Sequence, residues 1–257
     1  MARRRGKRRP NAFEGGTRRG FTLIELLIVV AIISLLVAII APSLGTAKGL
    51  VRDAACRSNL HHLQLAYSMY ILNNENKFFL YYDGPIYMPY LLPYHDKLHE
   101  LRQCPETQRL PGAYVMGDAD VCCVRGTGEL DWGSYGLNGW LFGVTAGGNP
   151  GGRHHYCNRD KPFPDAWYQL PARVEVPAET PSLGDCVWDD GWPWHDNPPE
   201  MFSGDYYWQM TRFLIERHGG EINMSFMDGH VAHVRLEMLW MLRWSPLFER
   251  QTMELPR

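Results

Sequence analysis

The hydrophobic pattern changes character twice along the chain. Over residues 21–41 it is almost unbroken, with Thr22, Glu25 and Ser34 as the only polar positions. A helix of this length is about 31 Å long, enough to cross the hydrocarbon of a bilayer. Few buried helices of soluble proteins stay apolar on every face for so long, so a single membrane span is predicted. Past Pro42 the pattern becomes periodic. Cys56, Leu60, Leu63, Tyr67 and Tyr70 recur at steps of four and three, and a row of Leu65, Met69 and Leu72 widens the stripe. The polar run Asn73-Asn74-Glu75-Asn76-Lys77 ends it. One helix from Phe21 to about Asn73 is therefore expected. Residues 21–41 form its transmembrane part and 42–76 its amphipathic continuation, with a kink at Pro42.

Residues 77–257 read as a globular head with short elements. A short helix is predicted over 88–101, an extended segment with bends over 134–141, and a strand over 182–188. Residues 221–227 alternate Ile222, Met224 and Phe226 with Asn223, Ser225 and Met227. Asp228-Gly229 then separates them from a second extended run over 230–236. Asp-Gly between two such runs is a strong hairpin signal, because both turn residues need positive φ. A last apolar helix is expected over 237–244, stopped by Pro246. The fold class is α+β: a long N-terminal helix and a loop-rich head containing a small antiparallel sheet.

Charge sharpens the division. The whole chain carries −2, but residues 1–20 carry +7 and the remainder −9. Eight Lys/Arg precede the apolar run, and only Lys48 and Arg52 follow it closely. The positive-inside rule then keeps the N-terminus cytoplasmic and the head outside. A secretory signal peptide shares the basic-then-apolar order. This run is longer than a usual signal, however, and Ala41 leads straight into Pro42 with no clean small-x-small cleavage site. Glu25, an acid inside the apolar run, is also foreign to a signal peptide and calls for a partner.

Arg19-Gly20-Phe21-Thr22-Leu23-Ile24-Glu25-Leu26-Leu27 closely resembles the cleavage and methylation signal shared by type IV prepilins and type II secretion pseudopilins. The resemblance implies a prepilin peptidase that removes a basic leader, residues 1–20, by cutting between Gly20 and Phe21. It also implies N-methylation of Phe21. Glu25 would set assembly and register by meeting the Phe21 amine of a neighbouring subunit. Opposite charges in low dielectric attract strongly and relieve each other's desolvation.

His218, nine intervening residues and then Asp228-Gly229 resemble the H-x9-D-G prepilin-processing-associated proteins. Asn223, Phe226, His230 and Val231 occupy similar places around the hairpin at 218–236, as do Cys56-Arg-Ser-Asn-Leu60, Cys104-Pro105, 134–138 and Asp185 elsewhere. A His218–Asp228 hydrogen bond pinning the hairpin, with Gly229 in the turn, is the expected use of these residues.

No catalytic constellation is marked, so the chain is not expected to be an enzyme. His95 and His99 stand four apart, as on one helix face, but lack a third ligand. Asp185, Asp189 and Asp190 are the nearest approach to a calcium set, without EF-hand spacing. Otherwise neither metal nor cofactor is expected. Six Cys in an extracytoplasmic protein permit disulfides. Cys122 and Cys123 are adjacent, leaving Cys104, Cys157 and Cys186 as partners for them, whereas Cys56 is simply packed on the helix stripe. All nine Trp lie from Trp132 onward, either buried or forming a contact surface.

The expected function is that of a prepilin-like structural subunit in a type II secretion or type IV pilus-like system. Its partners would be the peptidase, other pilin-like subunits through the N-terminal helix and the inner membrane, with no nucleic acid. The alternative is a surface-displayed module that binds glycan or protein and borrows the same export route.

Overall fold

A computed structural model describes residues 21–80, 87–95, 98–112, 115, 117–124, 132–143, 164–202 and 209–256. The leader, Cys157 and part of the middle region lie outside the described residues. The chain divides into two compact units between Ala47 and Lys48.

The first unit holds the apolar part of helix α1 (Leu23–Asn73), which continues through Pro42. α1 is long and apolar enough to cross a membrane, and none of its most apolar window is buried by the protein.

The second unit is built on the rest of α1 and a five-stranded sheet. The strands are β3 (Tyr135–Asn138), β4 (Pro181–Asp185), β5 (Asp190–Gly191), β6 (Glu221–Phe226) and β7 (Val231–Arg235), in spatial order β5-β3-β4-β6-β7. β3, β4, β6 and β7 are antiparallel neighbours, while β5 runs parallel to β3. A separate pair joins β1 (Cys123–Val124) to β2 (Trp132–Gly133). The α+β architecture read from the sequence is thus the one observed.

Its polar details differ from the expected stripe. Cys56, Leu60, Leu63 and Tyr67 are buried, but so are Asp53, Gln64 and Ile71. Leu65, Met69 and Leu72 are instead exposed. At about 100° per residue they fall on the opposite side of the helix from the buried face. That face is widened by polar residues, because the sheet surface it meets is polar. Asn223 and Ser225, alternating with buried Ile222 and Met224 along β6, are buried as well. Gln64 Oε1 accepts hydrogen bonds from the hydroxyls of Ser182 and Ser225, which lie 2.9 Å apart. Asn223 Nδ2 donates to Asp53 Oδ1 at 2.9 Å. The alternation that signals one wet face here signals a face covered by a helix with matched hydrogen bonds.

Two further elements depart from expectation. The predicted helix over 88–101 is broken into α2 (Met88–Leu91), a 3-10 turn (Leu92–Tyr94) and α3 (Leu98–Leu101), since Pro93 lacks the N–H a continuing helix needs. His95 is extended, with φ −153° and ψ 114°, so His95 and His99 do not share a helix face. The last helix is a 3-10 segment (Leu236–Met241) with Leu236 and Leu239 buried, a three-residue spacing that eclipses on a 3-10 helix.

Close packing around the aromatic core fixes one glycine. A Cβ on Gly139 would lie 2.3–2.5 Å from the Trp192 indole. Gly139→Ala is expected to cost about 1–3 kcal/mol by overpacking, read as a lower unfolding midpoint. An unchanged midpoint would show that the indole has room to move.

Candidate functional site

The helix start and the expected hairpin come first, because both carry residues singled out by sequence. At the start of α1 the Glu25 carboxylate accepts from the Thr22 backbone N–H at 2.9 Å and from its hydroxyl at 2.7 Å. The Glu25 N–H donates back to Thr22 Oγ1 at 3.3 Å. This reciprocal arrangement is a capping box, and Thr-x-x-Glu is its sequence signature. Glu25 therefore has a local task, closing the cap with Thr22.

Met227, Asp228 and Gly229 form the β6–β7 turn, one residue longer than the expected Asp-Gly turn, and of the expected pair only Gly229 has positive φ. Gly229 adopts φ +99°, and Asp228 Oδ1 lies 2.6 Å from His230 Nδ1. His218 has a different partner from the one expected. The six residues of β6 put about 20 Å between a side chain before the strand and one after it, so His218 cannot reach Asp228.

His218 instead enters a buried cluster. Four segments distant in sequence converge there: Cys56 from α1, Cys104 after α3, Asp185 at the end of β4, and Arg217-His218 in the turn before β6. That turn is tight. His218 has φ +47°, followed by Gly219 at +78° and Gly220 at +92°, and Arg217 and Glu221 form an antiparallel bridge. The reversal aims two consecutive cationic side chains at one carboxylate. Arg217 Nη1 donates to Asp185 Oδ1 at 2.7 Å. His218 Nε2 lies 3.1 Å from Asp185 Oδ2 and 3.3 Å from Cys104 Sγ. His218 Nδ1 faces Asp53 Oδ1 at 3.6 Å. Cys56 Sγ sits 3.7 Å from each Asp185 oxygen and accepts from the Tyr135 hydroxyl at 3.3 Å. The Asn223 N–H also donates to Asp185 Oδ2, at 2.9 Å.

These neighbours set the protonation states. Burial opposes charge on Asp185, but Arg217 and His218 hold its carboxyl below the usual value. Burial likewise opposes charge on His218, yet the hydrogen bonds to Asp185 and Cys104 lift it to about 10. Cys104 is drawn down to about 7, chiefly by a hydrogen bond with Cys56 and against the effect of burial. Cys56 is pushed well up by burial first.

The five described cysteines, Cys56, Cys104, Cys122, Cys123 and Cys186, are buried free thiols. Cys56 is more than a packed residue of the helix stripe, since it belongs to the cluster. Sequence reasoning noticed Cys56, Cys104, Asp185 and His218 one at a time, as fragments of a family pattern. Nothing in their spacing said that they meet. The suggested calcium residues do not form a common site of oxygen ligands: Asp185 is held by Arg217, and Asp190 Oδ1 by Arg212 at 2.9 Å. Among the described tryptophans, Trp132, Trp140, Trp167, Trp192, Trp240 and Trp244 are buried, and Trp188 and Trp194 are half-buried.

Comparison with known proteins bears on part of the chain. The family model for the prokaryotic N-terminal methylation motif matches residues 16–41. The type IV wide pilus major component PilA4 of Thermus thermophilus is 40% identical over 58 residues, which amount to 23% of this chain and 44% of that relative. The match therefore spans less than half of the relative's length. No solved structure matches the chain.

Proposed function

From the premise that the N-terminal segment is of the type IV pilin-like family, we propose that the chain is a pilin-like structural subunit. A prepilin peptidase cuts it between Gly20 and Phe21 and methylates the new Phe21 amine. α1 then holds it in the inner membrane by a single pass, with the leader side cytoplasmic and the head extracytoplasmic. Subunits assemble through α1 in a type II secretion or type IV pilus-like system. The observation that carries this reading is that the methylation motif matched at residues 16–41 overlaps the apolar first part of α1, whose most apolar window the protein does not bury. Such a helix needs lipid or its own copies around it. The buried tryptophans give no support to an exposed glycan platform.

The direct test is mass spectrometry of the mature N-terminus. A chain beginning at methylated Phe21 is expected, whereas one beginning beyond Ala41 would overturn the reading.

Glu25 allows its two tasks to be separated. Glu25→Gln keeps an oxygen that accepts the Thr22 N–H but removes the charge, whereas Glu25→Ala removes both. If Glu25 pairs with a neighbour's amine, both variants are cut normally and both fail to assemble. If its task is capping alone, only Glu25→Ala suffers, by the about 0.5–2 kcal/mol that a lost cap costs. Normal assembly of Glu25→Gln would remove the pairing role.

A further inference from the structure

We propose that Cys56, Cys104, Asp185 and His218 bind one divalent transition-metal ion, zinc by the nature of the donors, as a closed structural site in the head. This inference stands on the second unit alone and does not depend on cleavage or assembly.

Geometry is the first support. One ligand atom from each residue lies within 4.8 Å of every other. In a tetrahedral zinc site with ordinary bond lengths, nitrogen and oxygen ligands stand about 3.4 Å apart, and sulfur stands about 3.6 Å from either. The corresponding distances here are 3.1 Å from His218 Nε2 to Asp185 Oδ2, 3.3 Å from Nε2 to Cys104 Sγ, and 3.7 Å from Cys56 Sγ to Asp185 Oδ2. Small movements of side chains would complete the polyhedron around a central ion.

Chemistry is the second. Two sulfurs, one imidazole and one carboxylate suit zinc and exclude calcium and magnesium as preferred occupants. Binding would displace the protons of both thiols and of the His218 imidazolium; the two thiolates and the carboxylate then carry −3, which an ion of +2 and the Arg217 guanidinium neutralise inside a dry site. All four side chains are fully or almost fully buried, so no position is left open to substrate, as expected of a structural rather than a catalytic centre.

The surroundings are the third. Both short contacts of His218 are made by Nε2, which leaves Nδ1, without a hydrogen-bond partner of its own, facing Asp53 at 3.6 Å. A carboxylate behind the distal nitrogen fixes the tautomer and orientation of a metal-bound histidine. Arg217 on Oδ1 and the Asn223 N–H on Oδ2 hold the carboxylate in the same way. An ion here would join α1, the turn after α3, the end of β4 and the left-handed turn before β6. The rival is a disulfide between the two sulfurs, which would leave the convergence of Asp185 and His218 on them without a use.

The test is the metal content of the full chain purified in detergent. About one zinc per chain is expected, and replacement by Co²⁺ should give a thiolate-to-cobalt charge-transfer band. Cys104→Ser should lose both, while Cys122→Ser, a buried thiol that contacts Thr107 instead, should keep them. Asp53→Ala retains every ligand and should weaken the metal about 10–100-fold. A wild-type chain well below one metal per chain, with Cys56 and Cys104 joined as a disulfide in a non-reducing peptide map or titrating as free thiols, would overturn the proposal.

Discussion

Arg217→Met is expected to lower folding stability by about 3–5 kcal/mol, the usual effect of breaking a buried ion pair from one side. Methionine fills much of the same space, so the loss is chiefly electrostatic. The Arg217 side chain is 1% exposed and its Asp185 partner 0%, so water cannot rescue what remains. The guanidinium also donates to the carbonyls of Ala119 at 2.8 Å, Ser134 at 3.2 Å and Asp118 at 2.8 Å. Three carbonyls, of which that of Ser134 is buried, therefore lose a donor together with the carboxylate. For a domain of this size the unfolding temperature should fall by about 6–20 °C. Arg243→Met supplies the control. Its pair with Glu179 is 39% and 47% exposed, and such pairs contribute about 0–1 kcal/mol. Equal losses from the two variants would show that Arg217 is not the electrostatic anchor of the head.

The contrast between those arginines marks what the sequence could and could not reveal. The apolar helix, its end near Asn73, the Asp228-Gly229 hairpin and the β4 region were legible, because each is written in neighbouring residues as a period or a turn signal. The partners of the buried polar groups were not. Nothing local marks Gln64 and Asp53 as buried, and Asn223 and Ser225 stand in the sequence only as the polar half of an alternation. They are buried only because each supplies what the other lacks, a pairing between residues more than 150 positions apart. The same holds for the cluster: Cys56, Cys104, Asp185 and His218 come from four distant segments, and a local pattern cannot show that they converge. The Thr22–Glu25 capping box is the opposite case. Its signature, Thr22-x-x-Glu25, is complete within four neighbouring residues.

Gly20→Trp is expected to abolish cleavage altogether, leaving a chain heavier by the 20-residue leader. A peptidase that cuts at Gly20 must bring the backbone close to its own groups, and glycine is the residue that leaves room for such an approach. An indole there would occupy that room without altering the apolar helix that follows. Two consequences distinguish the variant from Glu25→Gln. The uncut chain has no free amine at Phe21, so it can be neither methylated nor paired with a carboxylate on a neighbour. It also keeps its basic leader, which carries +7 and favours the cytoplasmic side, so insertion and orientation should persist. Both variants should then fail to assemble, Gly20→Trp as a membrane-bound precursor and Glu25→Gln as a trimmed, methylated subunit. Mass spectrometry of membrane fractions reads that difference directly. Recovery of the Gly20→Trp chain already trimmed to Phe21, at the yield of the parent, would mean that the cut is not made where the motif places it.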